Sequence, residues 1–362
     1  MSMQVSLKKQ ILFGFMLLLL ILSFVEMGAR VFDFYFPNCR FTESDVFENM
    51  NFELKRQICS DAFNMVIKHE SPFPYIIPNQ HFPTININSN GFRGNEIETN
   101  PDYRIFVIGG STTFGSATSS DDTTMPSYLK EFLTKNFNEY KIEVVNAGIP
   151  AAYSLPEKNM ILNKVLDFKP NMLIIYDGWN DATRNYGLYH KIDSNSILDT
   201  VVKEIKEGEY ITLKVLVKFL SNVEYNPSKV LKVNTENFQN KTNLWKNSWQ
   251  EICLLENQYN FKTVIVLQPL LGTGNKTLSI EEQKNLIHFD SVNLSEHYQL
   301  FADELKNLDS TCSLTLDLRH VFDSYSETIY FDAGHTSEFG NKIIANEIYK
   351  EILPTLKNDL EY

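Results

Sequence analysis

Cysteine is scarce in this chain. There are four, Cys39, Cys59, Cys253 and Cys312, and none forms a C-x-x-C pair, so a structural zinc site or a thioredoxin-like redox site has no support. Basic charge is in deficit, with 33 Lys and Arg against 45 Asp and Glu and a formal net charge of -12. No long basic run occurs, which argues against nucleic acid as a partner, because phosphate binding needs clustered Lys and Arg. No G-x-G-x-x-G follows a strand and no Lys stands in Walker spacing after a glycine turn, so a phosphate-cradling loop is not indicated. His288, His297 and His320 lack metal-ligand spacing, and no metal or other cofactor is implied. Aromatic residues, by contrast, are plentiful: 26 Phe and 17 Tyr can fill a sizeable core.

Long apolar runs are absent except at the N-terminus. Lys8 and Lys9 precede the stretch Ile11–Val25, and Met27, Ala29, Val31 and Phe32 extend it. No clean small-x-small cleavage site follows, which favours an uncleaved signal anchor over a cleaved signal peptide. The positive flank before the run puts residues 1–10 in the cytoplasm, residues 11–32 in the membrane and the remainder outside. In an extracytoplasmic segment Cys39 and Cys59 would be the pair able to close a disulfide. Cys253, in a helical pattern, and Cys312, before a strand, read as free buried thiols. Three N-x-S/T triplets, at Asn240, Asn275 and Asn293, fit a glycosylated surface where that machinery exists.

Residues 33–98 read as a stalk and an irregular extension, interrupted by Pro72, Pro74, Pro78 and Pro83. From residue 99 to 362 the pattern is that of one α/β domain. Five short apolar runs, Arg104–Ile108, Ile142–Val145, Met172–Tyr176, Thr263–Leu267 and Leu314–Leu316, predict buried parallel strands. Helical patterns separate them: one from near Thr124 with Pro126 in its first turn, one opened by a capping box at Ser154-Leu155-Pro156-Glu157, and others over about 238–259, 281–307 and 338–352. Alternation of this kind predicts a parallel sheet with helices on both faces. The segment 185–237 breaks the alternation and reads as an insertion at the carboxyl edge of the sheet, as a cap over a site or as an inert helix pair.

The chemistry-bearing residues stand at strand ends. The first strand runs into Gly109-Gly110-Ser111-Thr112-Thr113, where small residues allow a sharp turn that lifts a serine into open space. A serine so placed attacks a carbonyl if a base removes its proton. The turn is not the G-x-S-x-G elbow, because Thr113 replaces its last glycine. The second strand ends at Asn146-Ala147-Gly148 and the third at Asp177-Gly178-Trp179-Asn180-Asp181. Glycine lets a backbone N–H approach a ligand and an asparagine amide can donate to an oxyanion, although turn chemistry alone also selects these residues. Near the C-terminus Asp332-Ala333-Gly334-His335 has the spacing in which a carboxylate orients an imidazole, and Ser337 is placed to cap the following helix.

Together these segments resemble the conserved blocks of the SGNH (GDSL-like) hydrolase superfamily in order and spacing, over roughly residues 88–352. Ser111 resembles the block-one serine, Gly148 the block-two glycine, Asn180 the block-three asparagine, and Asp332 with His335 the last pair. Asn90-Gly91-Phe92-Arg93-Gly94 and Leu267-Gln268-Pro269 also look like that family. Block one departs from it, reading Gly-Gly-Ser-Thr-Thr in place of Gly-Asp-Ser-Leu. The resemblance implies a three-layer α/β/α sandwich with a five-stranded, flavodoxin-like, mostly parallel sheet. It also implies a Ser111–His335–Asp332 triad and an oxyanion hole made by the Ser111 N–H, the Gly148 N–H and the Asn180 amide. Gln268 and Trp179 are candidate substrate contacts; Trp179 and Trp245 could equally serve packing. The expected activity is ester hydrolysis through an acyl-serine, on an acyl or O-acetyl ester of a cell-surface or secreted carbohydrate. An O-acyltransferase acting on glycans and a non-catalytic glycan-binding protein are the alternatives.

Overall fold

In the computed structural model the described residues are 6–35, 43–183 and 237–361. The insertion read at 185–237 falls, up to Glu236, outside them, as does Cys39. The chain divides into two compact units, residues 1–39 with 187–229 and residues 40–186 with 230–362.

In the first unit, helix α1 (Leu7–Tyr35) is 29 residues long. Its stretch Leu7–Phe32 has a mean hydropathy of 2.4 and contains no buried residue. At 1.5 Å per residue these 26 residues extend about 39 Å, against a hydrocarbon core of about 30 Å. The helix is therefore long and apolar enough to cross a membrane. An ion pair, Glu26–Arg30 at 2.9 Å, lies four residues apart near its end and adds about 0.3 kcal/mol.

The second unit opens with α2 (Phe52–Asn64), capped by the Asn51 side chain, which accepts the Leu54 N–H at 2.8 Å. Two antiparallel hairpins follow, β1 (Ile67–Lys68) with β2 (Tyr75–Ile76) and β3 (Gln80–His81) with β4 (Asn86–Ile87). These pieces, too short to show periodicity in a Pro-interrupted sequence, pack onto the domain: Ile76, Ile85 and Ile87 surround Phe114, and Phe47 and Ile58 pack with Ala117 and Phe331.

The main sheet comprises β5 (Tyr103–Gly109), β6 (Ile142–Gly148), β7 (Met172–Asp177), β8 (Lys262–Leu267) and β9 (Leu314–Asp317), all parallel in the order β6-β5-β7-β8-β9. The strand order expected from the resemblance is thus present. Successive side chains of β5 and β7 go to opposite faces, and both faces are covered. Phe106, Ile108, Leu173 and Ile175 pack with α5 (Ser154–Asn163), α7 (Phe238–Cys253) and, beyond the short α8 (Glu256–Tyr259) and α9 (Ile280–His288), with α10 (Ser291–Leu308). Ile105, Val107 and Ile174 pack with α4 (Met125–Asn136) and α11 (Glu338–Glu361). Each fully buried aliphatic side chain contributes about 1.5–3 kcal/mol of transfer free energy. The chain passes from β5 to β6 on one side and then to β7 on the other, so the strand order reverses at the carboxyl end of β5. That is where open α/β sheets leave a crevice.

Four local expectations need correction. The capping box at Ser154 does not form: the N-cap is Tyr153, and the Ser154 hydroxyl donates instead to buried Asp181 at 2.5 Å. The helix expected over 281–307 breaks at Asp290, which has φ 52° and divides α9 from α10. The last helix continues to Glu361. Cys253 and Cys312 are buried as expected but not free, since they form a disulfide. They precede β8 and β9, which pair, so parallel registration at the amino edge brings together residues 59 positions apart. Cys59 is disulfide-bonded as well. The cap expected at Ser337 is present, accepting the Gly340 N–H, and the helix expected from near Thr124 is capped by the Thr124 hydroxyl, which accepts the Ser127 N–H.

Candidate active site

The site is built at the carboxyl ends of β5, β6 and β7. β5 ends at Gly109, whose φ of 157° no L side chain adopts readily; a Cβ there would lie 2.2 Å from Thr113 Oγ1 and 2.4 Å from the Tyr176 carbonyl. The chain turns at once into the single-turn helix α3 (Ser111–Phe114), which sets Ser111 at a helix start facing away from the sheet. The Ser111 hydroxyl lies 2.6 Å from His335 Nε2.

His335 comes from a loop between β9 and α11. Its Nδ1 lies 2.7 Å from Asp332 Oδ2, while Asp332 Oδ1 accepts the backbone N–H of Gly334 at 2.8 Å and of His335 at 2.7 Å. The carboxylate thus fixes both the ring and the backbone that carries it. With Nδ1–H directed at the carboxylate, Nε2 presents its lone pair to Ser111. The loop is anchored from outside: the Leu271 N–H donates to the Ala333 carbonyl at 2.9 Å, and buried Glu282 accepts the N–H groups of Ile329 and Tyr330. The Phe331 ring stacks on His335 at 5.6 Å and 14°, and Phe47 packs behind it at 5.3 Å.

The environment separates the two titrations. Burial pushes the Asp332 carboxyl up, but the facing His335 charge and the hydrogen bonds from His335 and Gly334 outweigh this and hold it below its ordinary range. Burial pulls the His335 imidazole down, and the charge and hydrogen bond of Asp332 more than offset it, leaving it above its ordinary range. Both side chains remain partly open, at 25% and 19% exposure.

Gly148 and Asn180 are brought to the same edge. Gly148 sits directly under α3, where a Cβ would meet Phe114 N at 2.2 Å. Its N–H is not idle, since it donates to Asn146 Oδ1 at 3.0 Å. Asn180 lies on α6 (Trp179–Thr183), which is tied to α5 through Asp181 and Ser154. One N–H of its amide donates to the Ala152 carbonyl at 2.6 Å; the amide carries a second. A Cβ on Gly110 would lie 2.4 Å from Asn180 Nδ2, which places the amide against the residue before Ser111.

Of the two candidate substrate contacts, Gln268 lies inside the protein and Trp179 is partly exposed. Gln268 is buried, and its Oε1 accepts the Trp179 N–H at 3.3 Å, so it braces α6 and is not open to a substrate. The Trp179 indole packs over Gly334, where a Cβ would fall 2.7 Å from the ring, and so buttresses the Asp332–His335 loop. Trp245 is wholly buried. His297 bonds the Asn293 carbonyl, His320 bonds Asp323 and His288 packs edge-on against Phe289. Among the described residues no group of three His, Cys, Asp or Glu side chains could hold a metal ion. Two residues with central positions, Arg93 and Asn146, stand within the quoted motif segments but were given no role from sequence.

A profile of the GDSL-like lipase/acylhydrolase family matches residues 105–348. No curated protein matches the chain. Solved structures similar to it include Axe2, an acetylxylan esterase from Geobacillus stearothermophilus, at 15% identity over 71% of this chain and 96% of that one, with a TM-score of 0.42. LAE5, an alpha/beta hydrolase enzyme from the metagenome of Lake Arreo, Spain, is similar at 13% identity over 69% and 95%, TM-score 0.42. The acetyl xylan esterase AlAXEase is similar at 13% identity over 68% and 98%, TM-score 0.39. With the family profile spanning well over half of its length, the chain belongs to the GDSL-like lipase/acylhydrolase family of ester hydrolases.

Proposed function

We propose that the protein is a membrane-anchored serine esterase whose nucleophile is Ser111, whose base is His335 and whose orienting acid is Asp332. The observation that carries this reading is the continuous path from the Ser111 hydroxyl to His335 Nε2 at 2.6 Å and from His335 Nδ1 to Asp332 at 2.7 Å. Ser111 Oγ attacks the ester carbonyl as its proton passes to Nε2. The tetrahedral oxyanion is met by the Ser111 N–H, which has no intrahelical acceptor at a helix start, and by the Asn180 amide. Gly148 adds a third donor by sharing the N–H that Asn146 holds in the free protein. The imidazolium protonates the departing alkoxide, leaving an acyl-Ser111 ester. Water then attacks this ester as His335 takes one of its protons, and the imidazolium returns that proton to Ser111 Oγ as the carboxylic acid leaves.

The substrate is an acyl or O-acetyl ester of a cell-surface or secreted carbohydrate, a reading that rests on location. Three features support an extracytoplasmic site: the apolar span of α1, Lys8 and Lys9 before it, and a disulfide in the core of the catalytic unit. The test is turnover of p-nitrophenyl acetate by the wild-type protein and by Ser111→Ala, together with labelling by a fluorophosphonate. Loss of turnover and of labelling in the variant is expected, and full activity in Ser111→Ala overturns the assignment. An ester series of increasing acyl length then measures which group the site accepts.

A further inference from the structure

Helix α3, which carries Ser111, is one turn long. A single turn fixes several dihedral angles for one or two hydrogen bonds and is not stable by itself, so something outside it must set where Ser111 points. The side chain that does most at its far end is Arg93. Its guanidinium is 1% exposed. Nη1 donates to the carbonyls of Phe114 at 3.0 Å and Gly115 at 2.8 Å, the last residue of α3 and its C-cap. Nη2 donates to the Thr84 carbonyl at 2.8 Å and Nε to Asp121 at 2.7 Å. The guanidinium carbon lies 4.8 Å from the centre of the Phe114 ring.

Asn146 meets the same carbonyl from the other side. Its Nδ2 donates to Phe114 O at 3.2 Å and its Oδ1 accepts the Gly148 N–H at 3.0 Å. Its own carbonyl accepts the Arg93 N–H at 3.2 Å. Phe114 O is therefore a shared node joining Arg93, Asn146 and, one bond further, Gly148. A buried guanidinium is costly to desolvate and is weak evidence for stability alone. Here its fork spans two adjacent carbonyls, a third carbonyl and a carboxylate, a pattern a lysine ammonium cannot reproduce.

We propose that Arg93 and Asn146 are positioning residues that clamp the C-terminal end of α3, fixing Ser111 Oγ relative to His335 and to the Gly148 N–H. The clamp acts through the nucleophile turn and touches neither His335 nor Asp332. It rests on the reading of Ser111 as the nucleophile.

The experiment uses the full chain and measures fluorophosphonate labelling rate and p-nitrophenyl acetate kinetics per folded molecule. The variants are Arg93→Lys, Arg93→Met and Asn146→Asp, with Arg104→Lys as the matched control. Arg104 is also buried and ion-paired, to Glu143 at 2.6 Å, but stands at the amino end of β5, away from the turn. Arg93→Lys lowers labelling and kcat about 10- to 100-fold, the cost of misplacing a reacting atom by about 1 Å, with KM within about twofold. Its pH midpoint stays at the wild-type value. Asn146→Asp, which keeps an acceptor for Gly148 but loses the donor to Phe114 O, is lowered in the same way. Arg104→Lys loses thermal stability yet labels at the wild-type rate. Should Arg93→Met fail to fold, Arg93→Lys decides. A variant that labels within about twofold of wild type removes its residue from the clamp. Equal loss in Arg104→Lys reduces the clamp to general stability and overturns it. A wild-type protein that does not label overturns the nucleophile assignment itself, and the clamp with it.

Discussion

Replacing Gly110 by alanine isolates the Asn180 donor without touching it. Gly110 has φ −82° and ψ −147°, so a side chain meets no left-handed strain. Its Cβ would lie 2.4 Å from Asn180 Nδ2 and 3.3 Å from the Ala152 carbonyl. Non-bonded heavy atoms settle at about 3.5 Å, so the amide must retreat about 1 Å. The retreating atom is the tip of a partly exposed side chain, and the fold absorbs the move; Tm should change by no more than about 3 °C. The bond to Ala152 at 2.6 Å breaks and the amide no longer aims at the oxyanion. Misplacement by about 1 Å costs about 100-fold, and full loss of one donor about 100- to 1000-fold. The expected fall in kcat is therefore about 100-fold, or about 2.7 kcal/mol in the barrier. KM should hardly move, because the oxyanion exists only in the transition state. The assay is p-nitrophenyl acetate hydrolysis by Gly110→Ala, Asn180→Ala and the double variant. The double variant should be no slower than Asn180→Ala, since the clash has lost its target. If Gly110→Ala keeps kcat within about threefold, or if the two losses multiply, the argument fails.

Only the neutral imidazole accepts the Ser111 proton, so kcat/KM should fall as pH drops through a midpoint above 6.5, the ordinary value over which His335 is raised. Asp332→Asn removes the charge that raises it, so the midpoint shifts down, with a smaller rate loss than in His335→Ala; a midpoint that stays put in a pH–rate profile contradicts the pairing. The Cys253–Cys312 bridge closes a loop of 59 residues, for which the chain-entropy relation gives about 4 kcal/mol. The Cys253→Ala/Cys312→Ala protein should therefore unfold at markedly lower urea while labelling at the normal rate, because the bridge lies at the sheet's amino edge; an unchanged urea midpoint would falsify this. The full chain should stay with vesicles through alkaline carbonate washing, and protease should reach the catalytic unit only from the non-cytoplasmic side; release by carbonate removes the anchor.

The sheet was legible because β5 and β7 are buried on both faces, which leaves continuous apolar runs such as Ile105–Ile108 that need no alternation to be seen. Asp332 and His335 were legible because their interaction spans three residues and is local. What escaped was set by distant contacts. The Ser154 hydroxyl forms no capping box because Tyr153 is the N-cap and Ser154 already lies in the first turn, where its hydroxyl donates to buried Asp181, 27 residues on. Cys253 and Cys312 look like isolated thiols until β8 and β9 are placed side by side. Gln268 ends a strand at the active edge, which suggests substrate contact in sequence, but its amide turns inward to the Trp179 N–H. Arg93 and Asn146 stood inside quoted motifs, but their hold on Phe114 could not be read from spacing, because that carbonyl lies 21 and 32 residues away.

The same division between local and distant restraint separates two kinds of damage to the site. The proposed base is held by its own loop: Asp332 bonds the ring and the backbone of His335, Trp179 packs against Gly334 and the Phe331 ring stacks on His335. Changes there alter the charge and hydrogen bonds that set the imidazole's affinity for a proton, so they must move the pH midpoint. The proposed nucleophile, Ser111, is held from below, by Arg93 and Asn146 at the end of a one-turn helix. Changes there leave the surroundings of His335 intact and alter only the distance and angle at which Ser111 approaches. They must lower the plateau and leave the midpoint alone. A pH profile therefore sorts any variant of this site into one class or the other, and a variant under α3 that moves the midpoint would mean that the two restraints are coupled through Ser111 itself.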